Sequence, residues 1–237
     1  MILNKYLTNI DLKYIFIKIF IKIIYQRMKP FSKPDIKEVG IDEAGRGCLF
    51  GRVYIGGVIL PQNIEELCEQ EKVVLKDSKK LSKKKRDKAR AFIEKYAIEY
   101  SVKYKEHYEV DQQNILQATL NGMHDVIDSF QEKPDFILVD GTQFIPYENI
   151  PHECVVNGDN TYMNIAAASI LAKTYRDEYI DNICNEYNYL RKYDIQRNMG
   201  YGTARHINAI KEYGISPYHR ISFGICKTAP LFNFIKE

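Results

Sequence analysis

Residues 40–47 read Gly40-Ile41-Asp42-Glu43-Ala44-Gly45-Arg46-Gly47 and lie between two apolar segments. The apolar residues before Asp42 and the apolar run at residues 53–60 predict two buried strands joined by a tight glycine turn. Two adjacent carboxylates at the end of a buried strand are costly to bury unless a cation neutralises their charge. Because Mg²⁺ prefers such oxygen ligands, the pair predicts a metal site. A plain acidic strand end before a glycine turn is the alternative interpretation.

The turn that follows the acidic pair, Gly45-Arg46-Gly47, is suited to an anionic or sugar ligand. Glycine lets the backbone approach a ligand closely, and the planar guanidinium of Arg46 matches the geometry of phosphate. We therefore expect a metal site joined to a loop that binds phosphate or sugar. This segment is called the glycine turn (residues 45–47) below.

The composition is that of a globular protein with a nearly balanced charge. The chain has 237 residues, a net charge of +3 and five scattered cysteines. Its length predicts one domain, or one domain with a small appendage. An odd number of cysteines without a Cys-x-x-Cys pair argues against a disulfide framework or a zinc site, and it favours a reducing, cytoplasmic location. Any affinity for nucleic acid must then come from local basic clusters.

Residues 1–27 differ from the rest, with a net charge of +4 and an apolar segment, residues 14–25, that Lys18 and Lys22 interrupt. The uncharged runs are far shorter than the ~20 apolar residues of a membrane-spanning helix, so we expect no membrane span. One interpretation is an amphipathic surface helix. The alternative is an extension outside the fold, either disordered or the product of a misplaced start codon, with Met28 as the true first residue.

Beyond residue 60, the spacing of apolar residues predicts helices and strands that follow one another along the chain. Ser82 and Thr203 are expected to cap the helices that follow them. Three consecutive alanines, residues 166–168, predict that the longest helix packs closely on the sheet. The predicted helices cover residues 82–96, 110–130, 160–188 and 203–213, and the predicted strands cover residues 98–107, 136–140 and a short segment from Cys154.

Residues 72–90 are the basic centre of the chain, with ten lysines and arginines against Asp77 and Asp87. Lys79 and Lys80 lie in a predicted loop, from which their side chains can reach a phosphate backbone. Residues 83–86 are interpreted instead as a solvated helix face, which is the usual state of a charge run.

Two further aspartates follow predicted strands. Asp140 ends a short apolar strand, and ligands of open α/β sheets bind at the carboxyl ends of strands. A plain Asp-Gly turn is the alternative for Asp140. Asp159 precedes the longest helix, where an N-cap that interacts with the helix dipole is its simplest role.

Seven motifs together resemble the bacterial ribonuclease HII family, and they follow that family's order across residues 36–227. No single motif identifies the family, but a match of all seven motifs in the family's order is not expected by chance. Besides residues 40–47, the motifs are Lys76-Asp-Ser-Lys-Lys-Leu-Ser82, Val139-Asp-Gly141, Gly158-Asp159, Ala167-Ala-Ser-Ile-Leu-Ala-Lys173, Gly200-Tyr-Gly-Thr203 and His219-Arg220.

The resemblance implies a ribonuclease H-like α/β fold, in which helices flank a mixed five-stranded sheet and a C-terminal helical extension follows. Residues 28–192 would form the catalytic domain and residues 193–237 the extension. The resemblance also implies four catalytic carboxylates that hold two Mg²⁺ or Mn²⁺ ions in the reacting complex. These carboxylates are Asp42, Glu43, Asp140 and Asp159.

The resemblance further implies the substrate and its contacts. The implied activity is endonucleolytic cleavage of the RNA strand of RNA/DNA hybrids and of the 5′ side of single ribonucleotides embedded in duplex DNA. The products would carry 5′-phosphate and 3′-hydroxyl ends, and the implied roles are ribonucleotide excision and primer removal. The enzyme would be a monomer that contacts a replication clamp.

The implied substrate contacts divide by chemistry. Gly45, Arg46 and Gly47 would read the ribose 2′-OH, which distinguishes RNA from DNA. Tyr201 would pack on that sugar, although a tyrosine packed over the start of the last helix is the alternative. Lys79 and Lys80 would bind the nucleic-acid backbone through their charge, without contacts that read the sequence.

Three segments depart from the family pattern. Residues 48–52 replace the usual Pro-Leu-Ala-Gly-Pro, which predicts altered packing below the site and adds the charge of Arg52. Asn198 and Met199 replace a usual His-Lys pair, which removes a cation near the substrate and affects affinity more than chemistry. Ile221 replaces a usual basic residue, whereas the four acidic residues are intact.

Two other classes of function are alternatives. A nucleic-acid-binding protein without catalysis would use the basic residues 72–90, but four carboxylates without metal would repel the phosphates. A nucleotide-phosphate-binding protein would use the glycine turn, but the chain lacks a Gly-x-x-x-x-Gly-Lys-Ser/Thr motif. Mg²⁺-dependent cleavage of a duplex with one embedded ribonucleotide distinguishes all three classes.

Overall fold

A mixed five-stranded sheet lies at the centre of the computed structural model, which describes residues 28–232. The interpretations of residues 1–27 concern a part of the chain outside the described residues. The strands are β1 Glu38–Ala44, β2 Val53–Ile59, β3 Glu99–Lys105, β4 Phe136–Asp140 and β5 His152–Val155. Their order across the sheet is β3-β2-β1-β4-β5.

The central strand β1 pairs antiparallel with β2 and parallel with β4. The outer pairs are β2 with β3, antiparallel, and β4 with β5, parallel. The predicted mixed five-stranded sheet is therefore confirmed. In the parallel pair of β1 and β4, Ile41 lies opposite Val139. The residues that follow them, Asp42 and Asp140, therefore lie side by side at the ends of the two strands.

Helices cover both faces of the sheet. Their bounds are α1 Ile64–Glu71, α2 Lys83–Tyr96, α3 His107–Gln113, α4 Ile115–Asp128, α5 Met163–Glu186, α6 Ile195–Asn198 and α7 Ala204–Tyr213. Short 3₁₀ segments occupy Ser78–Lys80, Gly158–Asn160, Asn188–Tyr193 and Gly224–Lys227. Within residues 28–232, no helix has the length and apolar character that crossing a membrane requires.

Separate apolar cores lie on the two faces. On one face, Ile41 and Ile55 pack against Val126 of α4. On the other face, Val58 packs with Leu171 of α5 and with the buried side of α2. Alternation of side chains along each strand places the two sets on opposite faces, and burial of both sets stabilises the sheet by the hydrophobic effect.

Helix α5 approaches β1 and β2 at backbone distance. A Cβ added to Gly40 would lie 2.3 Å from the carbonyl carbon of Asn164, and one added to Gly56 would lie 2.5 Å from the carbonyl oxygen of Ala168. The alanines at residues 166–168 are fully buried. The close packing predicted from these small residues is confirmed, and it fixes α5 directly behind the end of β1.

The C-terminal elements pack on the second half of α5. Ile180 and Ile183 of α5 contact Leu190 and Ile210 in a third buried cluster. A helical segment after the sheet is therefore present, as predicted. The proposed boundary between residues 192 and 193 stays a prediction.

Two local predictions are wrong. The single helix expected over residues 110–130 is two helices, α3 and α4, because Asn114 adopts a left-handed φ of 67° between them. The side chain of Asn114 then caps α4 by accepting a hydrogen bond from the backbone N–H of Gln117. Asp159 is not the N-cap of α5, since Tyr162 holds that position and Asp159 lies in a 3₁₀ turn.

Of the two predicted caps, one forms its hydrogen bond. The Thr203 hydroxyl accepts from the backbone N–H of His206 at the start of α7, which confirms that cap. Ser82 holds the N-cap position of α2, but its side chain makes no capping hydrogen bond. The side chain of Arg86 instead donates to the Leu81 carbonyl at this helix start, with a distance of 2.7 Å.

Candidate active site

Asp42 and Asp140 meet at the carboxyl ends of two central parallel strands. Each directly follows the last paired residues of its strand, Ile41 and Val139. Neighbouring strands lie about 4.8 Å apart, and residues in register point to the same face. The two carboxylates therefore share one edge and one face of the sheet.

Asp42 is nearly enclosed, with 5% of its surface exposed. Its Oδ1 accepts the backbone N–H of Glu43 at 2.6 Å, and the Ser169 hydroxyl of α5 also donates to its carboxylate. Burial raises the pKa of Asp42 well above its ordinary value, and the charges of Glu43 and Asp140 raise it further. The charges of the neighbouring carboxylates thus add to the cost of ionising Asp42 in the folded protein.

Glu43 points toward the glycine turn. Its Oε1 lies 3.2 Å from a guanidinium nitrogen of Arg46, and 13% of its side chain is exposed. Burial raises the pKa of Glu43, whereas the positive charge of Arg46 opposes that shift. Arg46 thereby connects the acidic edge with the glycine turn.

Asp159 reaches the same edge through the 3₁₀ turn Gly158–Asn160. The backbone N–H of Gly158 donates to Oδ1 of Asp140 at 2.7 Å, which holds this turn against the end of β4. Burial raises the pKa of Asp159, and the charges of Asp77 and Asp140 add to the shift. Electrostatic interactions therefore link Asp140 with Asp42, Glu43 and Asp159, whereas the roles of the four carboxylates in catalysis stay predictions.

The donor set suits a hard divalent cation. Carboxylate oxygens are the ligands such ions prefer, and Mg²⁺ is usually bound by one or two carboxylates together with waters and substrate phosphates. Across residues 28–232, no three His, Cys, Asp or Glu side chains converge into a complete ion-binding group on their own. The charges of Glu43 and Asp140 nevertheless raise the pKa of Asp42 beyond the effect of burial, and a bound cation would oppose that rise.

The glycine turn is pressed against a buried arginine. Gly45 has a φ of 97°, and a Cβ at this position would lie 2.1 Å from Nε of Arg176. Position 45 therefore requires glycine for both its conformation and its packing. At Gly47, by contrast, a Cβ would meet nothing nearer than Cε1 of Tyr201 at 4.0 Å. The Tyr201 ring therefore lies beside Gly47, at ordinary contact distance from a side chain placed there.

Arg176 is a structural residue of the site that the sequence analysis missed. It lies on α5 with 1% of its surface exposed. Its guanidinium donates to the carbonyl oxygens of Phe50, Arg52 and Met199, at 3.2, 3.1 and 2.8 Å. These bonds join the chain after the glycine turn to the chain that carries Tyr201. The available signal was its position four residues after Ala172, in line with the small residues of the same buried helix.

Arg220 supports the glycine turn from the other side. It is fully buried and donates to the carbonyl oxygens of Arg46 and Gly51, at 3.0 and 2.9 Å. Burial lowers the pKa of Arg220 to about 10, so it stays charged at neutral pH. The sequence analysis identified this arginine only as part of a motif.

Tyr201 is partly exposed, with 43% of its surface accessible. Its backbone pairs with Cys48, and burial of the ring's polar end raises the pKa of its hydroxyl. The amide oxygen of Asn198 accepts the backbone N–H of Gly200 at 2.8 Å. Asn198, which departs from the family pattern, therefore shapes the turn that presents Tyr201.

Lys79 and Lys80 flank the acidic edge on an exposed 3₁₀ turn. Burial raises the pKa of Glu43 and Asp159, and the nearby ammonium of Lys79 opposes the shift in both. Lys80 donates to the side-chain oxygen of Asn160, next to Asp159. Both lysines thus lie where a phosphate backbone would approach the carboxylates.

Asp77 is a second residue that the sequence analysis did not single out. Its carboxylate accepts the backbone N–H of Lys79 at 2.9 Å and so fixes the lysine turn. Its charge also contributes to the raised pKa of Asp159, after burial. The interpretation of residues 83–86 as a solvated face holds for the three lysines, which are exposed, but Arg86 is half-buried and lies 3.7 Å from Asp177.

A buried histidine pair holds the backbone of Tyr201. His206 donates from Nδ1 to the Tyr201 carbonyl at 2.9 Å, and its Nε2 lies 2.9 Å from Nε2 of His219. The backbone N–H of Ser216 donates to Nδ1 of His219 at 3.0 Å. Both imidazoles are therefore neutral, since each has one nitrogen that accepts a hydrogen bond.

We expect this pair to make the fold acid-sensitive. Burial, with a smaller effect of His206, lowers the pKa of His219 to about 3, below its ordinary 6.5. The unfolded chain then binds more protons between these values, so the pair's stabilisation is present above pH 6.5 and is lost as pH falls toward 3. The loss is on the order of a few kcal/mol.

Thermal melts at stepped pH values test this expectation. His219→Gln should melt lower than the wild type at pH 7.5, and the difference should shrink as pH falls below 6.5. A constant difference across that range would show that the pair does not titrate with unfolding.

Comparison with solved structures first places the chain in the class of ribonuclease H-like α/β proteins. The crystal structure of ribonuclease H2 from Pyrococcus horikoshii OT3 aligns with a TM-score of 0.67 and 25% identity, covering 81% of this chain and 96% of that one. Bst-RNase HIII in complex with Mn²⁺ aligns with a TM-score of 0.54 and 16% identity, over 74% of this chain and 69% of that one. The second likeness concerns the fold alone.

Sequence comparison then identifies the family. The family model for ribonuclease HII matches residues 39–226. Ribonuclease HII of Bacteroides thetaiotaomicron is 44% identical over 196 residues, which cover 83% of this chain and 94% of that protein. The Christiangramia forsetii protein of the same name is 46% identical over 196 residues, with the same coverage.

The chain belongs to the ribonuclease HII family. It is therefore a hydrolase of the ribonuclease H type, which acts on RNA in RNA/DNA hybrids. The resemblance inferred from the seven motifs is confirmed, and the two alternatives without hydrolysis are not supported.

Proposed function

We propose that this protein is an endonuclease that cuts the RNA strand of RNA/DNA hybrids and the 5′ side of single ribonucleotides in duplex DNA. The observation that carries the proposal is the meeting of Asp42 and Asp140 at one sheet edge, directly beside the glycine turn and Tyr201. Cleavage leaves 5′-phosphate and 3′-hydroxyl ends. Ribonucleotide excision and primer removal are the corresponding roles.

The four carboxylates hold the metal ions in this proposal. Asp42 and Asp140 are the direct ligands, Glu43 is close behind, and Asp159 completes the second site. Two Mg²⁺ or Mn²⁺ ions, when bound, supply the activation of a water and the charge stabilisation that in-line phosphodiester hydrolysis requires. The raised pKa of Asp42, caused by burial and then by Glu43 and Asp140, supports this assignment because uncompensated buried charge attracts a cation.

The glycine turn and Tyr201 recognise the ribose. Backbone groups of residues 45–47 contact the 2′-OH, which is present in RNA and absent from DNA. Support comes from the fixed position of this turn, since Arg220 donates to the carbonyl oxygen of Arg46 and Arg176 lies against Gly45. The ring of Tyr201 packs on the sugar.

Lys79 and Lys80 bind the phosphate backbone beside the cleaved bond. Their contact is electrostatic and independent of sequence, because phosphate groups carry no base information. The exposure of both side chains and the effect of Lys79 on Glu43 and Asp159 support this role. The enzyme acts as a cytoplasmic monomer, and contact with a replication clamp is a further prediction.

The test compares three duplexes of one sequence: an RNA/DNA hybrid, a DNA duplex with one ribonucleotide, and an all-DNA duplex. We expect the first two to be cut in Mg²⁺ or Mn²⁺, the third to stay intact, and chelation of the ions to stop cleavage. Cleavage of the hybrid alone would contradict the single-ribonucleotide activity. Binding of all three duplexes without cleavage would contradict the whole proposal.

A chain that starts at Met28 is expected to fold and to keep full cleavage activity. The family match begins at residue 39, and every residue of the candidate site lies downstream of Met28. Cleavage rates of the two chains on the single-ribonucleotide duplex test this. Loss of most of the activity on removal of residues 1–27 would show that these residues belong to the catalytic fold.

A further inference from the structure

Two buried serines lie behind the carboxyl end of β1. Ser169 belongs to α5, and Ser78 begins the 3₁₀ turn Ser78–Lys80. Their hydroxyl oxygens are 3.1 Å apart, although the two residues are 91 positions apart in the sequence. Both belong to the seven family motifs, yet neither has a role in the proposed function.

The packing of α5 on the sheet places Ser169 beside Asp42. Gly40 and Asp42 are two residues apart on β1, so they lie on one face of the sheet. A Cβ on Gly40 would lie 2.3 Å from the backbone of α5, so this face is the one that α5 covers. Asp42 pairs with Gly56, where a Cβ would lie 2.5 Å from the carbonyl oxygen of Ala168. The residue after Ala168 is therefore level with Asp42, and its hydroxyl donates to the Asp42 carboxylate.

The hydrogen atoms of the two hydroxyls have defined directions. An ionised carboxylate only accepts hydrogen bonds, and a serine hydroxyl has a single hydrogen to donate. Because Ser169 donates its hydrogen to Asp42, Ser78 is the donor in the bond between the two serines. The hydrogen bonds thus run in one direction, from Ser78 through Ser169 to Asp42. Hydrogen bonds in such a chain polarise and strengthen one another.

Arg86 of α2 fixes the outer end of this chain of hydrogen bonds. Its guanidinium donates to the carbonyl oxygens of Ser78 and Leu81, at 3.3 and 2.7 Å. The same guanidinium lies 3.7 Å from the carboxylate of Asp177 on α5. The 3₁₀ turn is thereby connected to both α2 and α5, which holds the Ser78 hydroxyl in place against Ser169.

We propose that Ser78 and Ser169 are positioning residues that hold the Asp42 carboxylate in the orientation that binds a divalent cation. This role rests on the proposed function, in which Asp42 is a direct metal ligand. Ser169 orients the carboxylate, and Ser78 keeps the hydrogen of Ser169 directed at Asp42. Residues that orient a metal ligand in this way typically contribute roughly 10–100-fold to metal affinity or activity. The same hydrogen bonds connect Asp42 to the turn that carries Lys79 and Lys80.

Binding of Mn²⁺ to the full-length protein without substrate measures this role separately from catalysis. Electron paramagnetic resonance counts the free Mn²⁺ at each protein concentration. We expect Ser169→Ala and Ser78→Ala each to weaken Mn²⁺ binding about tenfold. Ser78→Cys keeps a weak donor of similar size, so its affinity should lie between those of Ser78→Ala and the wild type. It also provides the measurement if alanine at this position prevents folding.

Thr174 provides the matched control on the same helix. Its buried hydroxyl donates to the carbonyl oxygen of Ile170 at 2.8 Å, within α5. Thr174→Val removes this hydroxyl and should leave Mn²⁺ binding unchanged. If Thr174→Val weakens Mn²⁺ binding as much as the serine variants do, the effect is one of helix stability, and the positioning role is overturned.

The double variant tests whether Ser78 acts through Ser169. Substitutions of residues in one hydrogen-bond network are not additive. Ser78→Ala should cost about tenfold in Mn²⁺ affinity in the wild-type chain, but less than about twofold when it is added to Ser169→Ala. An equal cost in both chains would overturn the order of action from Ser78 through Ser169 to Asp42.

Cleavage of the single-ribonucleotide duplex separates this role from the proposed function. In Ser78→Ala, the half-saturating Mg²⁺ concentration should rise about tenfold with a smaller change in maximal rate, since added metal compensates for weaker binding. A lower maximal rate at an unchanged half-saturating concentration would overturn the role. Serine variants that match an active, Mn²⁺-binding wild type in both measurements would overturn it and leave the proposed function standing. A wild-type protein that neither binds Mn²⁺ nor cleaves would overturn both.

Discussion

Replacement of Asp42 by asparagine is expected to abolish cleavage of the single-ribonucleotide duplex while substrate binding survives or tightens. An amide is a neutral and weaker metal ligand than a carboxylate, so the reacting centre loses its charge stabilisation. A single electrostatic group at a reacting centre is typically worth 10²–10³ in rate, and we expect a loss of roughly a thousandfold or more. Removal of one negative charge also reduces repulsion of the phosphate backbone. Asp140→Asn should behave in the same way.

The same substitution should stabilise the metal-free protein. Burial and the charges of Glu43 and Asp140 raise the pKa of Asp42, which means that its ionised form is unfavourable in the folded state. Asparagine keeps an oxygen that accepts the backbone N–H of Glu43 and removes the charge. A gain of about 1 kcal/mol corresponds to a rise of roughly 2–4 °C in melting temperature for a chain of this size.

Glu38 on the same strand provides the matched control. It is 1% exposed, and its carboxylate accepts from the backbone of Ser32 and Lys33 and from the amide of Asn164, at 2.7 to 3.0 Å. Glu38→Gln should lower the melting temperature and leave the rate of cleavage unchanged. If Asp42→Asn cleaves near the wild-type rate, or if the two variants show the same pattern, Asp42 is not a metal ligand.

Replacement of Tyr201 by alanine is expected to slow cleavage by ~10–100-fold. A base or sugar packed on an aromatic ring is worth on the order of 1–3 kcal/mol. The ring lies beside Gly47 and is 43% exposed, so its removal should barely change the melting temperature. Tyr201→Phe should cost less if packing dominates, and nearly as much if the hydroxyl contributes to recognition of the 2′-OH.

Tyr108 is a suitable control, since it is 53% exposed and lies on α3, a helix that carries none of the four candidate carboxylates. Tyr108→Ala should leave the rate of cleavage unchanged. A Tyr201→Ala protein that melts early while its folded fraction cuts at the normal rate would make Tyr201 a structural residue. Recognition of the ribose would then depend on residues 45–47 alone.

The sequence predicted the parts of the fold that local pattern determines. Apolar runs before Asp42 and Asp140 marked β1 and β4, because strands buried on both faces are continuously apolar. The run at residues 166–168 marked the contact of α5 with the sheet. The candidate carboxylates Asp42 and Asp140 were recognisable because an acidic residue at the end of a buried strand is costly unless a cation neutralises it.

Features that depend on distant contacts were not predicted. The three carbonyls that Arg176 contacts lie more than 20 residues away along the chain, so no local pattern indicates them. The break at Asn114 was hidden because α3 and α4 both contribute apolar residues to one cluster, which continues a helical period across the break. Asp159 was misplaced as a cap because the 3₁₀ turn moves the start of α5 to Met163.

In the proposed function, a water activated by the metal ions that the carboxylates hold, and not the ribose 2′-OH, attacks the phosphodiester on the 5′ side of the ribonucleotide. Mass spectrometry of the products from a DNA duplex with one ribonucleotide tests it most directly. We predict an upstream fragment that ends in a 3′-hydroxyl and a downstream fragment that begins with the ribonucleotide and a 5′-phosphate. A 2′,3′-cyclic phosphate, or a cut on the 3′ side of the ribonucleotide, would contradict the claim.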